Sequence, residues 1–294
     1  MQRIRIGVIG AGRNTKKRHI PGFQAIEGVE VAAVCNRTLD SSRQACAELG
    51  IADAMDDPHA LIGRADIDAI CIGTWPYKHC EFTLAGLEAG KHVMTEARMA
   101  MNAGEAERML AASEARPGRV PQIVPSPFTL SMDPLVEELV EGEIGQLLAV
   151  HAVDAGGAFL NAEEPYTWRH DPQFSGANVM AVGIRYEAMM RWVGEVTRLF
   201  ARTQVLVPNR PDPETGEPRQ CSIPDLVHVT GTLKRDDAAF NFISSTQLGG
   251  PKESGCWIHA TDGVIFASLM GDWLELQKRG EEATQPVDID AAGH

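Results

Sequence analysis

The chain has no apolar run near the roughly 20 residues that a membrane-spanning helix needs, although hydrophobic residues fill 44% of its 294 positions. The apolar part of its N-terminus, "MQRIRIGVIGAG", is too short for a signal peptide and shows no small-residue cleavage site, so a cytoplasmic location is expected. Positive charge is also scarce. Lys and Arg number 27 against 40 Asp and Glu, for a formal net charge of −13. Nucleic acid and anionic membranes both require clustered positive charge and are not expected partners. The six cysteines, Cys35, Cys46, Cys71, Cys80, Cys221 and Cys256, form no C-x-x-C pair, and no metal site is expected. Cys35 and Cys71 sit inside apolar runs, as reduced, buried thiols do. Internal repeats are absent.

The length suits one large or two ordinary domains. Apolar runs at 4–10 ("IRIGVIG"), 29–35 ("VEVAAVC"), 68–74 ("DAICIGT") and 92–96 ("HVMTE") alternate with helix-like stretches at 41–50, 79–90 and 101–115. Ser41 or Ser42 is placed to start the first helix and Gly50 to end it. Such alternation predicts a parallel sheet covered on both faces. The pattern changes after "RPGRVPQIVPSP" (116–127), whose four prolines mark a boundary. Beyond it a helix at 134–142, a strand at 147–155 and a helix at 178–193 precede strand-like runs at 198–207, 225–234, 238–247, 256–261 and 263–268. "TDG" (261–263) reads as a hairpin turn. The expected architecture is an α/β Rossmann domain over 1–123, then an α+β domain over 124–294 with an open, mainly antiparallel sheet. Val227 and Val229 on one face of that sheet and Leu226 on the other predict burial by a partner subunit, hence a homodimer or homotetramer.

Gly10-Ala11-Gly12-Arg13-Asn14-Thr15 follows the first strand and opens a helix. In a dinucleotide fold the first glycine permits the tight turn, the second admits the pyrophosphate, and the third lets helix and strand pack closely. Thr15 stands at the third position. Arg13, Lys16, Lys17, Arg18 and His19 oppose the helix dipole, a preference that a phosphate at the same helix end would reverse. A solvated basic turn is the alternative. After strand two, Cys35-Asn36-Arg37-Thr38 offers no acid to the ribose. Asn36 removes a charge that would repel a 2′-phosphate, while Arg37 and Thr38 can bind one, so NADP is expected ahead of NAD. Thr74 and Trp75 open the loop after the third strand, where Trp75 and Tyr77 offer flat surface for a ring, packing being the plain alternative.

These segments, with "DIDAICIGTWPYKHCEFTLAGLEAGKHVMTEARMA" (66–100), "EGEIGQLLAVHA" (141–152) and "WRHDPQFSGANVMAVGIRYEAMMRWVGE" (168–195), resemble the glucose–fructose oxidoreductase / inositol dehydrogenase / rhizopine catabolism (Gfo/Idh/MocA) family over nearly the whole chain. The resemblance implies hydride transfer between NAD(P) and a sugar or polyol carbon. It also implies a Glu-Lys-Pro motif after the "GKHV" strand, where this chain has Glu96-Ala97-Arg98. An Asp, a His and an Asp on one helix face correspond to Ala181, Arg185 and Ala188. Alanine exchanges no proton and arginine is a poor base, so an altered acid/base set is expected.

Glu96, Arg98, Arg185, Tyr186 and His79 are the catalytic candidates, with Glu96 also placed near the cofactor. Arg169, His170 and Arg185 are candidates for substrate binding, arginine being suited to planar anions. Each has a plain alternative: a packed histidine, an ion-paired arginine, a surface charge such as Glu187. The expected function is an NADP-dependent oxidoreductase acting on a sugar-like, keto or carboxylated small molecule. The alternatives are a lyase or epimerase with a transient redox step, and a nucleotide-binding sensor or regulator without turnover.

Overall fold

The computed structural model describes residues 3–125, 128–157, 159–249 and 254–289. The chain divides into two compact units, Met1–Val124 with Gln173–Ala177, and Pro125–Pro172 with Asn178–His294. The return of 173–177 to the first unit has no counterpart in the sequence pattern.

Six parallel strands build the first unit, in the order β3-β2-β1-β4-β5-β6. They are β1 (Ile4–Ile9), β2 (Val29–Cys35), β3 (Asp53–Met55), β4 (Ala69–Ile72), β5 (His92–Thr95) and β6 (Pro121–Ile123). Alternate side chains face opposite sides. Ile9, Ile70 and Ile72 pack with Leu61, Phe82 and Leu87, while Ile6, Val8 and Cys71 pack with Ile20, Ala45 and Cys46. The strand order reverses between β1 and β4, which opens a crevice at the carboxyl ends of the strands.

The helices are α1 (Ile20–Gln24), α2 (Leu39–Leu49), α3 (Pro58–Ile62), α4 (His79–Glu88) and α5 (Ala103–Glu114). A π-helical turn, Thr15–His19, leads into α1. α2 ends as expected at Gly50, whose φ of 68° is left-handed. Its start is a correction. Thr38, not Ser41 or Ser42, caps it, accepting from Ser41 N at 3.3 Å. The Ser42 hydroxyl instead donates to Met55 O at 2.6 Å.

The second unit contains α6 (Asp133–Gly142), β7 (Leu147–Gly157), α7 (Pro172–Ser175, shared with the first unit) and α8 (Val182–Val193), then β8 (Val196–Gln204) and the short pair β9 (Asn209–Pro211) and β10 (Pro218–Gln220). β11 (Leu226–Leu233), β12 (Ala239–Gly249), β13 (Gly255–Ala260), β14 (Gly263–Ser268), β15 (Leu274–Lys278) and β16 (Gln285–Pro286) complete it. The main sheet runs β16-β15-β14-β13-β7-β12-β11-β8, antiparallel except for β7 with β12. α6 and α8 cover one face, burying Val136, Met189 and Trp192 against Val150, Phe240, Phe242 and Ile258. Asp133 joins the two helices, accepting from Trp192 Nε1 at 2.6 Å and Arg191 Nε at 2.9 Å. α8 starts at Val182 rather than 178, because Met180 takes a positive φ of 44°.

Candidate functional site

The G-x-G turn builds the crevice wall. Gly10 has φ 86°, and a Cβ there would lie 2.7 Å from Thr74 N. Only glycine lets β1 and β4 exit so close together. The absent third glycine is replaced across the sheet. A Cβ on Gly73 would stand 2.0 Å from Thr15 Oγ1 and 2.5 Å from Gly10 O, so Gly73 provides the close approach and Thr15 is buried in it.

A cavity of about 530 Å³ runs along this edge, lined by Gly10, Gly12, Asn36, Arg37, Thr74 and Trp75, as well as Ser41, Asp56, Tyr77, Lys78 and Glu81. Its size lies within the range of small-molecule and cofactor sites. The first six and Tyr77 are positions the sequence singles out; Ser41, Asp56, Lys78 and Glu81 are not among its cleft candidates. Strand ends carry the lining of such crevices, and Asp56 follows β3, a strand too short to read in the sequence. Trp75 and Tyr77 lie edge-on to Phe174, with centroids 5.1 and 5.4 Å away.

Other expected cofactor contacts have different employment. Asn36 holds the turn, its Oδ1 accepting from Ala11 N at 2.8 Å and its Nδ2 donating to Ser41 O at 3.1 Å. Thr38 caps α2, Thr15 is packed, and Lys16 is ion-paired with Glu48 at 2.5 Å. Arg13 is exposed and, like Thr38, does not line the cavity.

Glu96 follows β5 on the same edge. Its Oε1 accepts from Asn14 Nδ2 and meets His19 Nε2 at 2.6 Å. Burial, the largest single influence, pushes the Glu96 carboxyl up, but the His19 and Asn14 contacts together outweigh it and hold the carboxyl below its usual range. Sequence reading grouped His19 with the basic residues and missed this contact. His19 closes the π turn over Thr15–His19, and such turns recur at functional sites. Ala97 carries no polar group. Arg98 has φ 60°, donates from Nη1 to Ser175 Oγ at 3.0 Å, and is half-buried. His79 is buried between two carbonyls, Thr74 O at 2.9 Å from Nε2 and Arg98 O at 3.2 Å from Nδ1. Burial pushes its pKa down, outweighing those contacts. A neutral imidazole donates to only one carbonyl.

Arg185, Tyr186, Arg169 and His170 belong to the second unit. Arg185 is buried, and its Nε donates to Asp154 Oδ1 at 3.1 Å. Its Nη1 donates to Leu269 O and its Nη2 contacts Met270 Sδ at 3.2 Å. Its charge is compensated internally, unlike that of an open anion receptor. The Tyr186 hydroxyl accepts from Val196 N at 3.2 Å, at the corner between α8 and β8. His170 Nδ1 accepts from Thr167 N at 3.0 Å, and burial first, then Arg210, lowers its pKa. The Arg169 guanidinium lies 4.5 Å from the Trp168 ring centre. Glu187 pairs with Arg191 at 2.7 Å.

All six cysteines are free and buried, and burial pushes the Cys35, Cys71 and Cys256 thiols up to about 12. Among the described residues no His, Cys, Asp and Glu cluster could hold a metal. Among the same described residues no helix is long and apolar enough to cross a membrane.

A six-stranded parallel sheet, a G-x-G turn and a cleft at the strand-order reversal define a dinucleotide-binding Rossmann unit. Residues 4–121 match the model of an oxidoreductase family with an NAD-binding Rossmann fold, and residues 135–266 match the Gfo/Idh/MocA C-terminal domain. The chain belongs to the Gfo/Idh/MocA oxidoreductase family. It is 26% identical over 204 residues to an uncharacterized oxidoreductase of Rhizobium meliloti, a match covering 68% of this chain and 60% of that protein. It is 38% identical over 117 residues to inositol 2-dehydrogenase of Klebsiella pneumoniae, covering 40% of this chain and 34% of the relative. It therefore matches less than two thirds of the length of either. In fold it is similar to levoglucosan dehydrogenase, with a TM-score of 0.84 and 20% identity over 98% of this chain and 80% of the other.

Proposed function

We propose that the chain is a nicotinamide-dinucleotide-dependent oxidoreductase acting on a sugar-like, keto or carboxylated small molecule, with an acid/base set unlike that of its relatives. The observation that carries this reading is the cleft at the strand-order reversal. There the Thr74 hydroxyl is buried without a hydrogen-bond partner among the described residues, and a buried polar atom calls for one. Gly10 and Gly12 would leave room for a pyrophosphate, and Arg37 on the cavity wall would attract a 2′-phosphate, which supports the reading of NADP ahead of NAD. The relatives' printed names, inositol and levoglucosan dehydrogenases, support a sugar or polyol-like substrate.

When bound, the nicotinamide gives or accepts a hydride; the remaining chemistry falls to the chain. Adenosine lies on the β2 side of such a cleft, which puts the reacting end toward β4 and β5, where Glu96 stands. Ala97 can move no proton. Glu96 and His19, 2.6 Å apart, can exchange one between carboxylate and imidazole. Arg98 supplies fixed positive charge on the same loop. The internally paired Arg185 is assigned no direct role.

The test is titration with NADPH and NADH, then incubation with keto-sugars, keto-acids and polyols while nicotinamide absorbance is followed. Binding with turnover supports the proposal, and absence of binding to either cofactor overturns it. A second reading, a cofactor-holding sensor, is favoured by Ala97. It predicts tight binding with no turnover on any of the panel. Product analysis separates net redox from a lyase or epimerase. We also propose a homodimer or homotetramer built on the helix-free face of the second unit's sheet. One cross-strand row there reads Phe266, Trp257, His151, Asn241, Thr230, Phe200, and Phe200 is 71% exposed.

A further inference from the structure

We infer that Asp56 is a specificity-determining residue of the cofactor cleft, a carboxylate at the end of β3 that supplies the acid Asn36 does not supply at the end of β2. The inference rests on the dinucleotide reading above. β2 and β3 run parallel with Cys35 opposite Met55, so the next residues, Asn36 and Asp56, emerge together at the carboxyl edge. Both line the cavity. The Asn36 amide is occupied at both ends, by Ala11 N and Ser41 O. Asp56 is exposed and has no hydrogen bond or ion pair among the described residues.

Its neighbour behaves differently. Asp57 caps α3, accepting from His59 N at 2.9 Å and Ala60 N at 3.1 Å, and does not line the cavity. Two adjacent carboxylates are thus divided between the fold and the cleft. The Asp56 charge acts on the strand end, where it is second to burial in pushing up the Cys35 thiol.

A free carboxylate here accepts hydrogen bonds from the two ribose hydroxyls of NAD and repels the dianionic 2′-phosphate of NADP. Arg37, on the same wall, has the opposite preference. No ion pair joins Arg37 to Asp56 among the described residues, so neither cancels the other before a ligand arrives. Asp56 therefore limits the advantage that Arg37 gives NADPH, and the cleft admits both cofactors.

The experiment is fluorescence titration of the full chain with NADH and NADPH, which needs no substrate. Asp56→Asn keeps the side-chain size and removes the charge. It should weaken NADH and tighten NADPH, raising the NADPH:NADH affinity ratio by about tenfold, the scale of one charge-assisted contact. Arg37→Ala should lower that ratio. Asp57→Ala should lower the melting temperature and leave the ratio unchanged. If both cofactors bind and Asp56→Asn moves their ratio by less than about twofold, the inference is overturned. If Asp57→Ala moves the ratio as far as Asp56→Asn, a general field and not Asp56 sets the preference, and the inference also fails. If the wild-type chain binds neither cofactor, the dinucleotide reading itself falls and takes this inference with it.

Discussion

Arg185→Ala separates two accounts of the second unit. As an open anion receptor Arg185 would be thermodynamically idle without ligand, and its loss would leave stability nearly unchanged. The structure instead buries it against Asp154, with side-chain exposures of 9% and 14%. Removing one partner of a buried pair costs about 3–5 kcal/mol, because the other charge is left uncompensated. Two hydroxyls soften that loss, since Ser244 and Ser254 also donate to the Asp154 carboxylate, at 3.1 and 3.3 Å. The Arg185 guanidinium also lies over the Phe128 ring, 5.0 Å from its centre. The lower end of the range follows, about 3 kcal/mol, or roughly 6–12 °C in melting temperature for a unit of this size. Urea unfolding followed by tryptophan fluorescence reads it, because Trp192 is buried in this unit. Asp154→Asn alone should cost less, and the double variant should show strong non-additivity. NADPH affinity should be untouched. A loss below about 1 kcal/mol together with weakened binding of a keto-acid would refute the structural account and restore Arg185 as a ligand-binding residue.

Ala97→Lys alone should raise polyol oxidation by less than about tenfold, because Ala181 and Ala188 still lack carboxylates and Arg185 stays paired; fast turnover by this single change would show that the altered residues matter little. Burial holds the His79 pKa below its ordinary value, so the unfolded chain takes up a proton that the folded chain refuses. The stability present above about pH 6.5 is then lost as pH falls toward the folded value. His79→Gln should flatten that slope in melting temperature, and an unchanged slope would count against the assignment. Sedimentation at micromolar concentration should show a dimer or tetramer, with Trp257→Asp shifting it toward monomer by at least about tenfold in dissociation constant. A wild-type monomer would refute the proposed interface.

Long apolar runs made four of the six strands of the first unit legible. β3 and β6, three residues each, carry too little hydrophobic signal, and β6 lies inside the proline-rich segment read as a boundary. The same gap hid Asp56, because a strand that is not seen has no visible end. Gly10, Gly12, Thr74 and Trp75 were legible because each follows an obvious strand. Asn36 lines the cleft as expected and Thr38 does not, yet the polar groups of both have a task in the fold. Short polar side chains bond the nearest backbone, and both are taken up by the turn and by α2. His19 escaped notice because a π turn does not follow the 3.6-residue period on which helix-face arguments depend. Arg185 fell on the expected helix, but sequence alone does not reveal that Asp154 faces it.

The Thr15–Gly73 contact joins two positions 58 residues apart into a single steric choice. Alanine at 73 would drive a methyl into the Thr15 hydroxyl and the Gly10 carbonyl, so Gly73→Ala should be poorly tolerated. Pairing it with Thr15→Gly removes the first clash and leaves the second, so rescue should be only partial. The change is easier in the reverse order. A chain that first loses the Thr15 hydroxyl gains space at 73 and still keeps a workable turn. Drift at this corner should therefore run mainly through position 15 and seldom begin at 73. A variant library randomised at both positions should return glycine at 73 beside many residues at 15, an asymmetry that reading the turn as a linear glycine pattern would not anticipate.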